Sequence, residues 1–261
     1  MDFKTLNKMF QFFFKIPQFQ NWQEIMTALA KGQKPSRVIL KSGLKIEAPE
    51  DVSILRAIKR IFFKKMYLPS PLDIKRNDVV VDIGANIGVF TAFAATRTEN
   101  MVYAFEPFPN TFKFLSTNIH ANNFHHVHAY AMAVCDKVGT QKFFLNKKMS
   151  TGHSLSDYFT HNDSENYIEV PTTSLPQIMD DNSLEKIDFL KMDCEGAEGS
   201  IFQSIPQHYL KKIKKIAMEF HDHASPLTHS EIEKLLLDAG YTTSINWNKK
   251  KSTGYLYAYQ D

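Results

Sequence analysis

Cysteine is nearly absent: the 261 residues contain two, Cys135 and Cys194. Two cysteines build no disulfide framework, which favours a reducing compartment, and a cytoplasmic setting is the expectation. No apolar run approaches the ~20 residues that cross a bilayer, so no integral membrane span is expected. The opening stretch, "MDFKTLNKMFQFFFKIPQFQ", lacks the apolar core and small-residue cleavage site of a signal peptide. A strong excess of one charge is missing too, since the net charge is +3. The lysine clusters, Lys211, Lys212, Lys214 and Lys215 and then Lys249 to Lys251, have no interleaved aromatics to stack bases. Nucleic acid is therefore not an expected partner. Zinc-ligand spacing is lacking as well: "HHVH", residues 125–128, sits at a strand start and reads as surface.

What is present suits one large α/β domain with a helical appendage. Hydrophobic residues make up 43% and charged residues 23%, as in ordinary globular proteins. Three parts follow from the pattern. Residues 1–36 read as a helical extension, closed by Gly32 and Pro35. Its phenylalanines, interrupted by Pro17, are expected to cover the domain or a second subunit in a homo-oligomer rather than lie in lipid. Residues 37–77 read as a lead-in: a β-hairpin around Ser42-Gly43, then a helix in "SILRAIKRIFFKKMY", with Ile54, Ile58, Ile61 and Phe62 on one face.

From residue 78 to 261 strands and helices alternate. "DVVVDIG" is a short, wholly apolar strand, as expected when helices cover both faces of a sheet. "NIGVFTAFAATR" reads as a helix, "MVYAFEP" as strand two, "NTFKFLSTNIHANN" as a helix and "HVHAYAMAV" as strand three. A diversion with extra strands, "GTQKFFLN" and "YIEVPTTSL", comes next. The rhythm resumes with "KIDFLKMD", a helix from about Gly196 to Gln203, "KKIAMEFH", and a helix from Ser230 to Ala239. Two alternating runs around a lysine-rich turn end the chain. The expected fold is α/β, a mostly parallel, doubly wound sheet finished by an antiparallel hairpin.

In such sheets ligands bind beyond the carboxyl ends of the strands. The first of these ends is "VDIGANIG". Gly84 permits a tight turn and Gly88 close helix packing. The middle glycine of a G-x-G-x-x-G dinucleotide loop is replaced by Asn86, which is less friendly to a diphosphate. Asp82 suits a cation better than an anion. Glu106, 18 residues after Gly88, closes the second strand and can accept bonds from both ribose hydroxyls. Two strand-end acids without a phosphate cradle fit a positively charged nucleoside such as S-adenosylmethionine. Asp82, Gly84, Asn86, Gly88 and Glu106 are the expected cofactor-binding residues.

Together, "VVVDIGANIGVF", "YAFEPFPNTFKFLSTNI", "IDFLKMDCEGAE" and "IAMEFH" resemble the FkbM family of S-adenosylmethionine-dependent methyltransferases. The resemblance is densest between Val79 and His221. It implies a Rossmann-like class I methyltransferase fold with a seven-stranded sheet, and methyl transfer to a hydroxyl oxygen of a sugar or polyketide. On that reading Asp193 stands where methyl group and acceptor meet, and Glu195 and Glu198 complement a helix N-terminus. An aliphatic hydroxyl needs a base. The candidates are Asp193, Glu219 and His221, with Asp193 and His221 taken as catalytic; His153 could drop in from its loop. No metal is assigned, although Asp193 and Glu195 with a water shell could hold Mg²⁺.

The acceptor, a small molecule or a glycan, is expected to be a polyhydroxylated natural product, because "NKKMSTGHSLSDYFTHNDSEN" is mostly polar with isolated aromatics. Two other classes stay open at this point: an NAD-linked oxidoreductase, and a non-catalytic relative that binds the cofactor or a partner.

Overall fold

The computed structural model describes residues 18–146, 153–156, 165–248 and 252–260. The phenylalanine-rich start (1–17), most of the polar loop (147–152 and 157–164) and Lys249 to Lys251 lie outside the described residues. The first part of the expected helical extension and the expected lysine-rich turn fall within these segments.

Among the described residues, Phe19 bridges to Leu40 and a helix, Trp22–Ala30, follows. The lead-in hairpin pairs β1 (Arg37–Ile39) with β2 (Lys45–Glu47), Val38 facing Ile46. The helical stretch after it divides into an α-turn, Ile54–Ile58, and a wider π-turn, Lys59–Phe63. Ile54 and Ile58 pack with Ile87, Val89 and Ala92, so the lead-in shares a core with the glycine loop and the helix after it.

Seven strands form the main sheet, in the order β11-β12-β10-β9-β3-β4-β5. They are β3 (Val80–Ile83), β4 (Val102–Phe105), β5 (Val127–Tyr130), β9 (Phe189–Met192), β10 (Lys215–His221), β11 (Thr242–Asn248) and β12 (Thr253–Tyr259). The five from β10 to β5 run parallel, and β12 and β11 are antiparallel to their neighbours. This is the expected class I methyltransferase arrangement. All four residues of β3, β4 and β9 are buried. That is the consequence of helices on both faces, and it is why these strands read as apolar runs rather than alternations.

Strand three is shorter than the sequence reading gives. "HVHAYAMAV" breaks after Tyr130, and Ala133–Val134 (β6) joins β7 (Gly139–Phe144) and β8 (Tyr167–Thr173) in a separate three-stranded sheet. Helices Val89–Ala95, Pro109–Ala121, Leu175–Asp181, Glu198–Ser204, Gln207–Leu210 and His229–Asp238 complete the layers. The last starts on a full capping box, Thr228 with Glu231.

Candidate active site

The glycine loop leaves β3 under tight constraint. Gly84 has φ +71°, and a Cβ there would stand 1.9 Å from the carbonyl oxygen of Asp193. The loops after β3 and β9 thus touch backbone to backbone at a point where no side chain fits. Asn86 follows at φ +52°, a left-handed conformation that asparagine tolerates. Gly88 begins the helix at φ +83°, and a Cβ on it would press to 2.6 Å from Leu115.

Asp82 is fully buried, and its carboxylate is committed inside the sheet. Thr91 Oγ1 donates to Oδ2 at 2.6 Å, and Lys191 Nζ lies 3.0 Å from Oδ1. Lys191, register partner of Asp82 on β9, also donates to the carbonyls of Ile83 and Gly84 at 3.2 and 2.8 Å. The cation that suits Asp82 is therefore a lysine of this chain. Asp82 acts beneath the glycine loop and does not line the cleft.

Glu106 does line it. Its Oε2 accepts from the Asn86 N–H at 2.8 Å, and its Oε1 from the Phe108 N–H and Thr111 Oγ1 at 2.9 and 2.8 Å. Burial pushes its carboxyl above the ordinary value, against the pull of these donors. A carboxylate has about four lone-pair sites, so three bonds fix its orientation and leave it able to accept from a ligand.

A cleft of about 640 Å³ opens across these strand ends. Gly84, Asn86 and Glu106 line one part of it, and Asp193, Glu195 and Glu219 another. Tyr67, buried, donates to Asp193 Oδ2 at 2.8 Å. Glu219 Oε2 takes Arg60 at 2.6 Å and Tyr255 Oη at 3.0 Å. His153 is at the wall too; its Nδ1 accepts from the Asn146 N–H at 2.8 Å and its ring lies 4.4 Å from Phe108.

The acids of "KMDCEGAE" divide into layers. Asp193 and Glu195 face the cleft, Glu195 at φ +52°. Glu198, the first residue of its helix, is fully buried. It accepts from the N–H groups of Cys194 and Gly196 at 3.2 and 2.9 Å, and so pins the loop after β9. His221 closes β10 behind Glu195: Nδ1 is 3.2 Å from Glu198 Oε1, Nε2 3.3 Å from Glu195 Oε2. At 6% exposure His221 stands one layer behind the cleft wall, not on it. Burial would lower the pKa of its ring, but Glu198, Glu195 and Asp193 outweigh that and push it up to about 10. Burial, with Asp193 and Glu198 acting against the His221 charge, pushes Glu195 up to about 7.

The sequence reading misses Tyr67, Arg60 and Lys191. Lys191 alone carried a signal: a lysine inside a strand buried on both faces needs an acid beside it.

Comparison with known proteins bears on the family and the fold. The family model of the methyltransferase FkbM domain matches residues 82–243. The 31-O-demethyl-FK506 methyltransferase FkbM of Streptomyces tacrolimicus is 26% identical, over 70% of this chain and 80% of that one. The hexuronic acid methyltransferase AglP of Haloferax volcanii is 25% identical over 66% of each chain. A crystal structure of a methyltransferase FkbM from Methylobacillus flagellatus superposes with a TM-score of 0.50 at 15% identity, over 82% of this chain and 56% of that one. That likeness bears on the fold.

Proposed function

The chain belongs to the FkbM methyltransferase family, and on that premise we propose that it transfers a methyl group from S-adenosylmethionine to a hydroxyl oxygen of a sugar or other polyhydroxylated natural product. The observation that carries this reading is the cleft wall, where an anchored Glu106 stands at one strand end and the carboxylate of Asp193 at another.

The residues fit the donor. Gly84 lets the loops after β3 and β9 meet backbone to backbone beneath the cleft, and Glu106 is oriented to accept from a ribose. Asn86, Gly84 and Gly88 shape the loop for the methionine part. Asp82 serves from below, through Lys191 and the loop carbonyls. Bound there, S-adenosylmethionine would supply an electrophilic methyl group on a sulfonium, and the acids at this end of the cleft favour such a cation.

The chain's task is then alignment, which in a well-oriented displacement is worth about 7–11 kcal/mol. We place Asp193 against the acceptor hydroxyl. Tyr67 fixes its carboxylate, which takes the hydrogen bond and then the proton as the oxygen is methylated. His221 acts through Glu195 and Glu198, as a positioning residue. A polar outer wall, with Lys34, Ser53 and Arg56, and the polar loop sequence between β7 and β8 suit a polyhydroxylated acceptor. Among the relatives, one is named for 31-O-demethyl-FK506 and another for a hexuronic acid. The protein is expected to work on a dissolved small molecule or glycan in the cytoplasm, the N-terminal extension covering the domain or a second subunit.

The experiment is donor turnover against a panel of uronic acids, neutral sugars and macrolide alcohols, with Asp193→Asn beside the native chain. The variant should keep its donor Kd and lose at least ~10²-fold in kcat. Turnover of amines but not alcohols would overturn the reading.

A further inference from the structure

Asp193, Glu195 and His221 each present one ligand atom, and the three atoms lie within 4.8 Å of one another. From this convergence we propose that the three side chains form a binding site for an octahedral divalent cation of the Mg²⁺/Mn²⁺ class, at the acceptor end of the cleft.

One pair of donors already stands at the spacing an ion requires. His221 Nε2 and Glu195 Oε2 are 3.3 Å apart. Ligands at right angles around an ion at about 2.1–2.2 Å stand roughly 3 Å apart, and opposed ones a little over 4 Å. The three residues come from two strand ends, since Asp193 and Glu195 follow β9 and His221 closes β10. β9 and β10 are adjacent and parallel, so the sheet holds the donors in register.

A second feature points the same way. A metal-bound histidine almost always gives its other ring nitrogen to a carboxylate, which fixes the ring and its tautomer. His221 meets that requirement: Nδ1 is held 3.2 Å from Glu198, and the ion takes the place of the proton that Nε2 otherwise directs at Glu195, that proton leaving to solvent. Glu198 is itself fixed by two backbone N–H groups and is fully buried. Asp193 is supported likewise, with Tyr67 donating to its Oδ2 at 2.8 Å.

The charge balance also favours a cation. Asp193, Glu195, Glu198 and Glu219 meet in one network, and Arg60 pairs with Glu219 at its far side. Two carboxylates and one imidazole, with no thiolate among them, suit Mn²⁺ or Mg²⁺ rather than a thiophilic metal. The remaining positions face the cleft and would take water or hydroxyl oxygens of the acceptor. Neighbouring hydroxyls on a sugar could then bind as a pair, which selects a diol. This last point rests on the methyltransferase reading; the site itself does not. Under the inference Asp193 meets the acceptor through the ion rather than directly, and His221 holds the ion rather than only positioning Glu195.

The test is Mn²⁺ titration of the full chain, followed by electron paramagnetic resonance, with neither donor nor acceptor present. The expected result is one saturable Mn²⁺ per chain, displaced by excess Mg²⁺. Glu195→Gln should weaken it at least ~100-fold, and Glu198→Gln about 10–100-fold, as the loss of an outer partner does. His221→Gln should match Glu195→Gln. Should the buried histidine variant fail to fold, Glu195→Gln decides alone, because it keeps shape at the cleft wall. Absence of saturable binding in the native chain, or native affinity in folded Glu195→Gln, would overturn the inference. Because no methyl transfer is read, these outcomes are separate from any failure of the proposed activity.

Discussion

Asp82 and Lys191 face each other across the paired strands β3 and β9, 3.0 Å apart and both sealed from solvent. The lysine also caps the carbonyls of Ile83 and Gly84, so the pair ties the floor of the sheet to the first turn of the glycine loop. Removing one partner leaves a buried, uncompensated charge, at a cost of roughly 3–5 kcal/mol. Lys191→Met should lose about that much in urea denaturation. Replacing both, with Asp82→Leu and Lys191→Met together, should recover most of the loss while still weakening donor binding, because the loop carbonyls lose their donor.

Glu106 gives a cleaner test of the proposed donor site. Its three internal bonds set its direction, and its remaining capacity faces the cleft. Glu106→Ala should weaken S-adenosylmethionine binding by the loss of two charge-assisted bonds, each about 1.5–3 kcal/mol. Calorimetry on the folded variant measures this. Unchanged affinity would remove Glu106 from the donor site.

Gly84 and Gly43 separate backbone strain from steric exclusion. Both have positive φ, +71° and +88°, but a Cβ on Gly43 meets nothing within 4 Å. On Gly84 it would collide with the Asp193 carbonyl. Gly43→Ala should therefore cost only the left-handed penalty, on the order of 1 kcal/mol. Gly84→Ala should cost much more in thermal melting and should abolish donor binding. Equal losses would mean that the contact between the two loops is loose.

Local features were legible in the sequence, and pairings across strands were not. The apolar run of β3, the glycines at 84 and 88 and the acid at 106 each signal their place through short-range chemistry: burial on both faces, positive φ, an acid at a strand end. Asp82 reads from the sequence as a residue for a cationic ligand; that Lys191 takes its carboxylate instead depends on the register between β3 and β9. Tyr67 reaches Asp193 from 126 positions away, through a turn whose residues carry no motif. His221 was legible as a strand-end histidine. Its depth was not, because only the packed structure puts Glu195 in front of it and Glu198 beside it. The departure of Ala133 and Val134 into the smaller sheet was hidden for a similar reason: an apolar run does not say which sheet it joins.

The most direct measurement uses S-adenosylmethionine carrying a deuterated methyl group, incubated with the protein in a metabolite and glycan extract. Mass spectrometry then asks where the label goes. Methyl transfer to an alcohol predicts a product bearing the intact trideuterated methyl on a hydroxyl oxygen, formed by the native chain and not by Asp193→Asn. Label found only on nitrogen or carbon, or equal label with both chains, would contradict the account.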